Sequence, residues 1–149
     1  MTKEISRHEI RKMALQALFP LDFNQDLSKQ DAIFHALELE HHAIIDEEQE
    51  NFVPHYLDEL VEGVCQKKTE LDARIQEKLK KGWTLKRLSK MDVTILRIAL
   101  YEMLYVEMVP NKVALNEAIE LAKTFSDDQS RKFVNGILSA INNDLEAGE

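Results

Sequence analysis

The residues from Asp92 to Val109 read Asp-Val-Thr-Ile-Leu-Arg-Ile-Ala-Leu-Tyr-Glu-Met-Leu-Tyr-Val-Glu-Met-Val, and wound as a helix they are apolar on nearly every side. A helix without a broad polar face has to be surrounded by other structure. The stretch predicts the central post of an all-α domain, with the helices before and after leaning on it. A bilayer could also surround it, but Asp92, Arg97, Glu102 and Glu107 are scattered through it, and charges are costly among lipid chains. Burial in protein is the better reading. Four glycines and three prolines in 149 residues leave little material for tight turns, which favours helices over a many-stranded sheet. A chain of this length suits a single domain, 1–149, able to fold without metal or disulfide. The lone cysteine, Cys65, cannot pair within the chain and the N-terminus carries no apolar signal segment, so a reducing cytoplasm is the expected compartment.

In chain order, Ser6-Arg-His-Glu9 is a capping box, with Ile5 and Ile10 placed for a hydrophobic staple, so a first helix starts at Arg7. Its apolar stripe of Ile10, Met13, Ala14, Ala17 and Leu18 leaves Arg7, His8, Arg11 and Lys12 on the outer side as a cationic cluster. The net charge of −8 argues against sequence-blind nucleic-acid binding, so any nucleic-acid site is a local patch, and this cluster is the best one. Pro20 should end or kink the helix. Ser28 caps a second helix, Lys29 to His42, with Ala32, Ile33, Ala36, Leu37 and Leu39 inward. The acidic run Asp46 to Glu50 is a connector or the charged first turn of the next helix. From Asn51, apolar positions at three and four spacing through Cys65 mark a third helix, with Pro54 in its first turn and Cys65 on the buried stripe. Leu71, Ile75 and Leu79 mark a shorter fourth, ended by Gly82. Trp83 reads as a plug between helices.

After the central helix, Asn111 is read as the cap of a helix with Ala114, Ala118, Leu121, Ala122 and Phe125 inward. Ser126 and Gln129 have the spacing of a capping box for the next, which buries Val134, Ile137, Leu138 and Ile141. Gly136 inside it suggests a close backbone contact. Phe133, at the stripe's margin beside Arg131 and Lys132, is either extra core or a base-stacking ring for single-stranded RNA. An enzyme alternative rests on His35, Glu38, His41, His42 and Asp46, a His and carboxylate set of the kind found in metal hydrolases. Its spacing is poor. A helical zinc pair needs two histidines at i and i+4, whereas His41 and His42 diverge by about a hundred degrees and His35 lies two turns from His42. No metal site and no catalytic residues are expected.

Arg97-Ile-Ala-Leu-Tyr-Glu102, Val113-Ala-Leu-Asn-Glu-Ala-Ile-Glu-Leu-Ala-Lys123, Lys132-Phe-Val-Asn-Gly-Ile-Leu138 and the N-terminal Ala14-Leu-Gln-Ala-Leu-Phe19 closely resemble the NusB family of bacterial transcription antitermination factors. Several motifs in the same order are more specific than any one. The resemblance spans most of the chain and implies a NusB-like fold: two three-helix bundles packed across each other around a buried central helix. It implies an RNA-binding protein with no catalytic step and no cofactor. Such a protein pairs with NusE, the small-subunit ribosomal protein, and binds the boxA element of nascent ribosomal RNA within the elongation complex of RNA polymerase and other Nus factors.

Carried over by position, the family's RNA surface joins the first helix to the start of the last. Arg7 and Arg11 would contact phosphates, with Lys3, His8 and Lys12 nearby. Phe19 stands where the family usually has tyrosine, keeping a stacking face and losing a hydroxyl. Phe133, beside Lys132, matches a stacking phenylalanine, and Gln129 stands where some members carry an acid. Pro20 takes the place of a common polar residue. Asp92, at the exposed start of the central helix, matches a position facing NusE. A second bearer of such a domain is a group of ribosomal RNA cytosine methyltransferases, so an RNA-binding fragment of one is the alternative. The chain shows neither a glycine-rich cofactor loop nor a catalytic Pro-Cys segment.

Overall fold

A computed structural model describes residues 5–41 and 54–148, which form six α-helices and one 3-10 turn with no strand. The chain divides into two compact units, Met1–Gly63 and Val64–Glu149.

The first unit begins with α1 (Arg7–Phe23). Ser6 Oγ accepts from the Glu9 amide at 3.1 Å and donates to the Glu9 carboxylate at 3.3 Å, which fixes the start at Arg7. Of the two outcomes expected at Pro20, an end or a kink, the helix does not end there: it runs on to Phe23. Proline forfeits the bond to the Gln16 carbonyl, but within a turn of the helix end that is one lost rung, and the Pro20 carbonyl still accepts from the Asn24 amide at 3.1 Å. In α2 (Lys29–His41), Ser28 is the cap, accepting from the Asp31 amide at 3.0 Å. Ala32, Ile33, Ala36 and Leu37 are buried, and α2 packs along α1. Leu39, expected inward, is 69% exposed, because it falls about ninety degrees from the centre of that arc. Lys29 Nζ, 2.7 Å from Glu62 Oε1, ties α2 to the next helix.

That helix, α3 (His55–Glu77), joins what the sequence suggested were two. The division between the units falls within it. Five successive exposed residues, Gln66 to Glu70, interrupt the apolar pattern without breaking the helix. They contain neither glycine nor proline, and Glu70 and Arg74 pair at i, i+4. Cys65 lies at the edge of the arc of Leu57, Val61 and Val64 and is half-buried, not on the fully buried stripe as expected.

In the second unit α4 (Lys90–Tyr105) is the predicted post. Ser89 caps it by accepting from the Asp92 amide at 3.0 Å, and every residue from Asp92 to Leu100 is buried. It ends at Tyr105, four residues early, where Val106 caps it and a turn closes onto buried Val109. Arg97, 7% exposed, is neutralised by a two-pronged bond to Asp72, Nε to Oδ1 at 2.7 Å and Nη2 to Oδ2 at 3.0 Å. Around α4 pack α5 (Asn111–Phe125) and α6 (Asp128–Ala147), each also against the other. Fully buried Ala114, Ala118 and Ala122 bring α5 close, while Phe125 stays half-buried. Two expected caps are corrected. Asn111 is the first helical residue and donates to Asn142 Oδ1 at 3.1 Å, leaving Pro110 in the cap position. Asp127 caps α6, accepting from the Ser130 amide at 2.8 Å, because Ser126 is occupied as the C-cap of α5.

Candidate nucleic-acid interface

On α1 the cationic cluster is smaller than the stripe suggested. Arg7 and His8 are exposed and Lys12 is half-buried, but Arg11 is 4% exposed. The omitted stripe residue is Leu15, buried at 1%. Once it is included, Ala14, Leu15 and Leu18 follow Arg11 at three, four and seven positions and place it on their own face. Arg7 lies with its guanidinium carbon 3.8 Å from the ring centroid of Tyr56, a cation over a ring that holds the charge at the surface. Phe19 is half-buried and meets exposed Phe23 edge to face, with centroids 5.0 Å apart. Lys3 lies outside the described residues.

In the second unit a groove of about 710 Å³ opens between the α3–α4 connection and the first turns of α6. Phe133, half-buried, lines it with exposed Gln129 and Lys132. Across from them stands Trp83. It is no plug: the ring is 44% exposed. The chain leaves α3 through a tight turn, Lys80 to Trp83, closed by the Trp83 amide on the Lys80 carbonyl at 2.9 Å, with Gly82 at φ 89°. That positive φ suits glycine in such a turn. The side chain of Gln76 then clasps the connection, donating to the Trp83 carbonyl at 2.8 Å and accepting from the Leu85 amide at 3.2 Å. A 3-10 turn, Leu85–Arg87, brings the Arg87 guanidinium to 4.9 Å from the Trp83 ring centroid. Lys78, paired with Asp144, and Lys80 add charge to the rim. Sequence reasoning missed this wall, although Lys-Lys-Gly-Trp with an arginine four residues on was a usable signal. Gly136, also on the groove, has nothing within 4 Å of where a Cβ would stand, which overturns the close contact expected there.

Asp92 is not exposed at the start of α4. It is 7% exposed, and the Ser130 hydroxyl donates to its Oδ2 at 3.0 Å. The Ser126 hydroxyl donates to Ser130 Oγ at 2.7 Å and lies 3.4 Å from Asp92 Oδ1. Burial pushes the carboxyl above the usual aspartate range, and Asp127 pushes the same way; hydrogen bonds from Ser130, Ser126 and Ser89 oppose them. Of the enzyme alternative, His42, Asp46 and the side chain of His41 lie outside the described residues. Among those described, no three His, Cys, Asp or Glu side chains gather as a metal site requires. No described helix is long and apolar enough to cross a membrane.

Among the described residues there are six helices and one 3-10 turn, with cations and rings exposed on them: an all-α module. The chain belongs to the NusB family, whose profile matches residues 8–143, a family of transcription antitermination proteins and not of enzymes. It is 58% identical over 144 residues to the transcription antitermination protein NusB of Enterococcus faecalis, covering 97% of this chain and 94% of that one. The solved structure of T. maritima NusB superimposes with a TM-score of 0.77 at 31% identity, over 93% of this chain and 92% of that one. A crystal structure of antitermination factors NusB and NusE in complex with dsRNA shares the fold, with a TM-score of 0.73 at 22% identity over 91% and 94% of the two chains.

Proposed function

We propose that this protein is a cytoplasmic antitermination factor that pairs with NusE and binds the boxA element of nascent ribosomal RNA, within an elongation complex of RNA polymerase and other Nus factors. The observation that carries the RNA reading is Phe133, a partly exposed ring beside the exposed cation Lys132, the combination that stacks an unpaired base and holds its phosphate. The E. faecalis relative supports the antitermination role, and the NusB–NusE–dsRNA assembly supports the choice of partners. Arg7, His8 and Lys132 make phosphate contacts, with half-buried Lys12 a weaker contributor and Lys3 carried over from the family resemblance alone, and Phe19 offers a second ring. Arg11, buried, is left out of the phosphate contacts. Asp92 bears on NusE indirectly, by shaping the corner where α5 meets α6, and Gln129 spares the RNA backbone a carboxylate.

The test is titration of labelled boxA RNA with the chain and NusE, against a scrambled RNA. Preference for boxA is expected, and Phe133→Ala should weaken it roughly 5- to 150-fold, the loss of one stacked base. Equal affinity for both RNAs would remove the boxA reading. If Phe133→Ala lowers the melting temperature while its folded fraction binds normally, Phe133 is core.

A further inference from the structure

We propose that the groove between the Trp83 turn and the start of α6 is a nucleotide-binding position in its own right, taking an unpaired RNA base against Trp83 and its phosphate on Arg87 and Lys80. The inference rests on the RNA reading above and extends it beyond Phe133.

A groove of about 710 Å³ lies in the range of small-molecule sites, ample for one nucleotide. Its largest ring is exposed without being loose. The turn bond from the Trp83 amide to the Lys80 carbonyl holds the backbone before the ring, Gln76 holds it after the ring through the Trp83 carbonyl and the Leu85 amide, and the Arg87 guanidinium lies against the ring, so the indole is presented in a fixed place. Its charge favours an anion. Of the two carboxylates on the groove, Asp92 is buried under Ser130 and Ser126, and Asp127 is engaged as the cap of α6. Lys80 and Lys132 are exposed and make no ion pair among the described residues. Cation and ring together in a groove are the elements of single-strand recognition, in which stacking supplies affinity and phosphate contacts track the backbone.

Gly136 supplies an independent observation. Glycine inside a helix is unfavourable against alanine, yet no packing demands it here, since the space above it is empty. A missing side chain at this point leaves the groove open to a ligand.

Trp83 is the only tryptophan in the chain, so its emission reports on the proposed contact. The full-length chain, alone and with NusE, is titrated with a short single-stranded RNA carrying boxA. Emission is read against a Trp83→Phe blank, and the anisotropy of the end-labelled RNA is followed in parallel. Quenching should follow the same saturation curve as anisotropy. Trp83→Ala should weaken binding roughly 5- to 150-fold, and Gly136→Leu should weaken it comparably without lowering the melting temperature. If labelled RNA binds while emission, Trp83→Ala and Gly136→Leu all leave binding unaltered, the groove is not a nucleotide site and the RNA reading survives elsewhere. Absence of any RNA binding, with NusE present, overturns both. Loss of NusE binding by Trp83→Ala with RNA affinity intact overturns the inference in favour of a protein-docking groove.

Discussion

Asp92 and Arg97 are both buried on α4, and each meets burial in its own way. Arg97 is given an opposite charge, and Asp72→Ala would strand its guanidinium; the loss should be about 3 kcal/mol, measured as a lower midpoint in urea. Asp92 is given hydroxyls, which offset its desolvation only partly. With its folded pKa raised above the unfolded value, its contribution is most favourable below the unfolded pKa and is lost as pH rises through the folded one. Asp92→Asn carries no such charge, so its melting temperature relative to the parent should climb from pH 3 to pH 7. A pH-independent difference would show that desolvation of Asp92 has no weight. The sequence revealed both charges but neither partner, because Asp72 lies 25 positions from Arg97 and Ser130 lies 38 from Asp92. Arg11 was misplaced for a nearer reason: leaving Leu15 out of the stripe rotated the inferred buried face away from it.

Among the elements, helices were legible where a local signal sufficed. Ser6 and Ser28 cap as their spacing suggests. Ser126 does not, because choosing between it and Asp127 depends on where α5 stops, and α5 runs to Phe125. The merger of two expected helices into α3 shows that a polar stretch marks a solvated turn and not a break unless glycine or proline interrupts the backbone. Pro20 teaches the converse, since near a helix end a breaker is tolerated. Gly136 gives a prediction at this scale. Alanine fits the open space, and Gly136→Ala should stabilise α6 by about 1 kcal/mol, seen as a raised melting temperature. A fall would mean that the backbone there requires glycine.

For the whole molecule, the family was legible because several motifs keep their order, whereas the groove was not, because its walls come from distant parts of the chain. A net charge of −8 also concentrates the electrostatic question on a few cations. Arg7→Ala and Lys132→Ala should each flatten the salt dependence of RNA binding by about one ion, and Phe133→Ala should leave the slope unchanged while lowering affinity. Titration at several salt concentrations separates the two. Unaltered slopes in both charge variants would remove Arg7 and Lys132 from the phosphate contacts. Trp83 and Phe133, on opposite sides of the groove, come fifty residues apart in the chain. At about 5 to 20 residues per second of synthesis, the tryptophan wall leaves the ribosome's catalytic centre roughly 3 to 10 s before the phenylalanine wall is made. Until α6 docks on α4, the newborn protein has half a groove, so the proposed nucleotide position is completed late in its own translation.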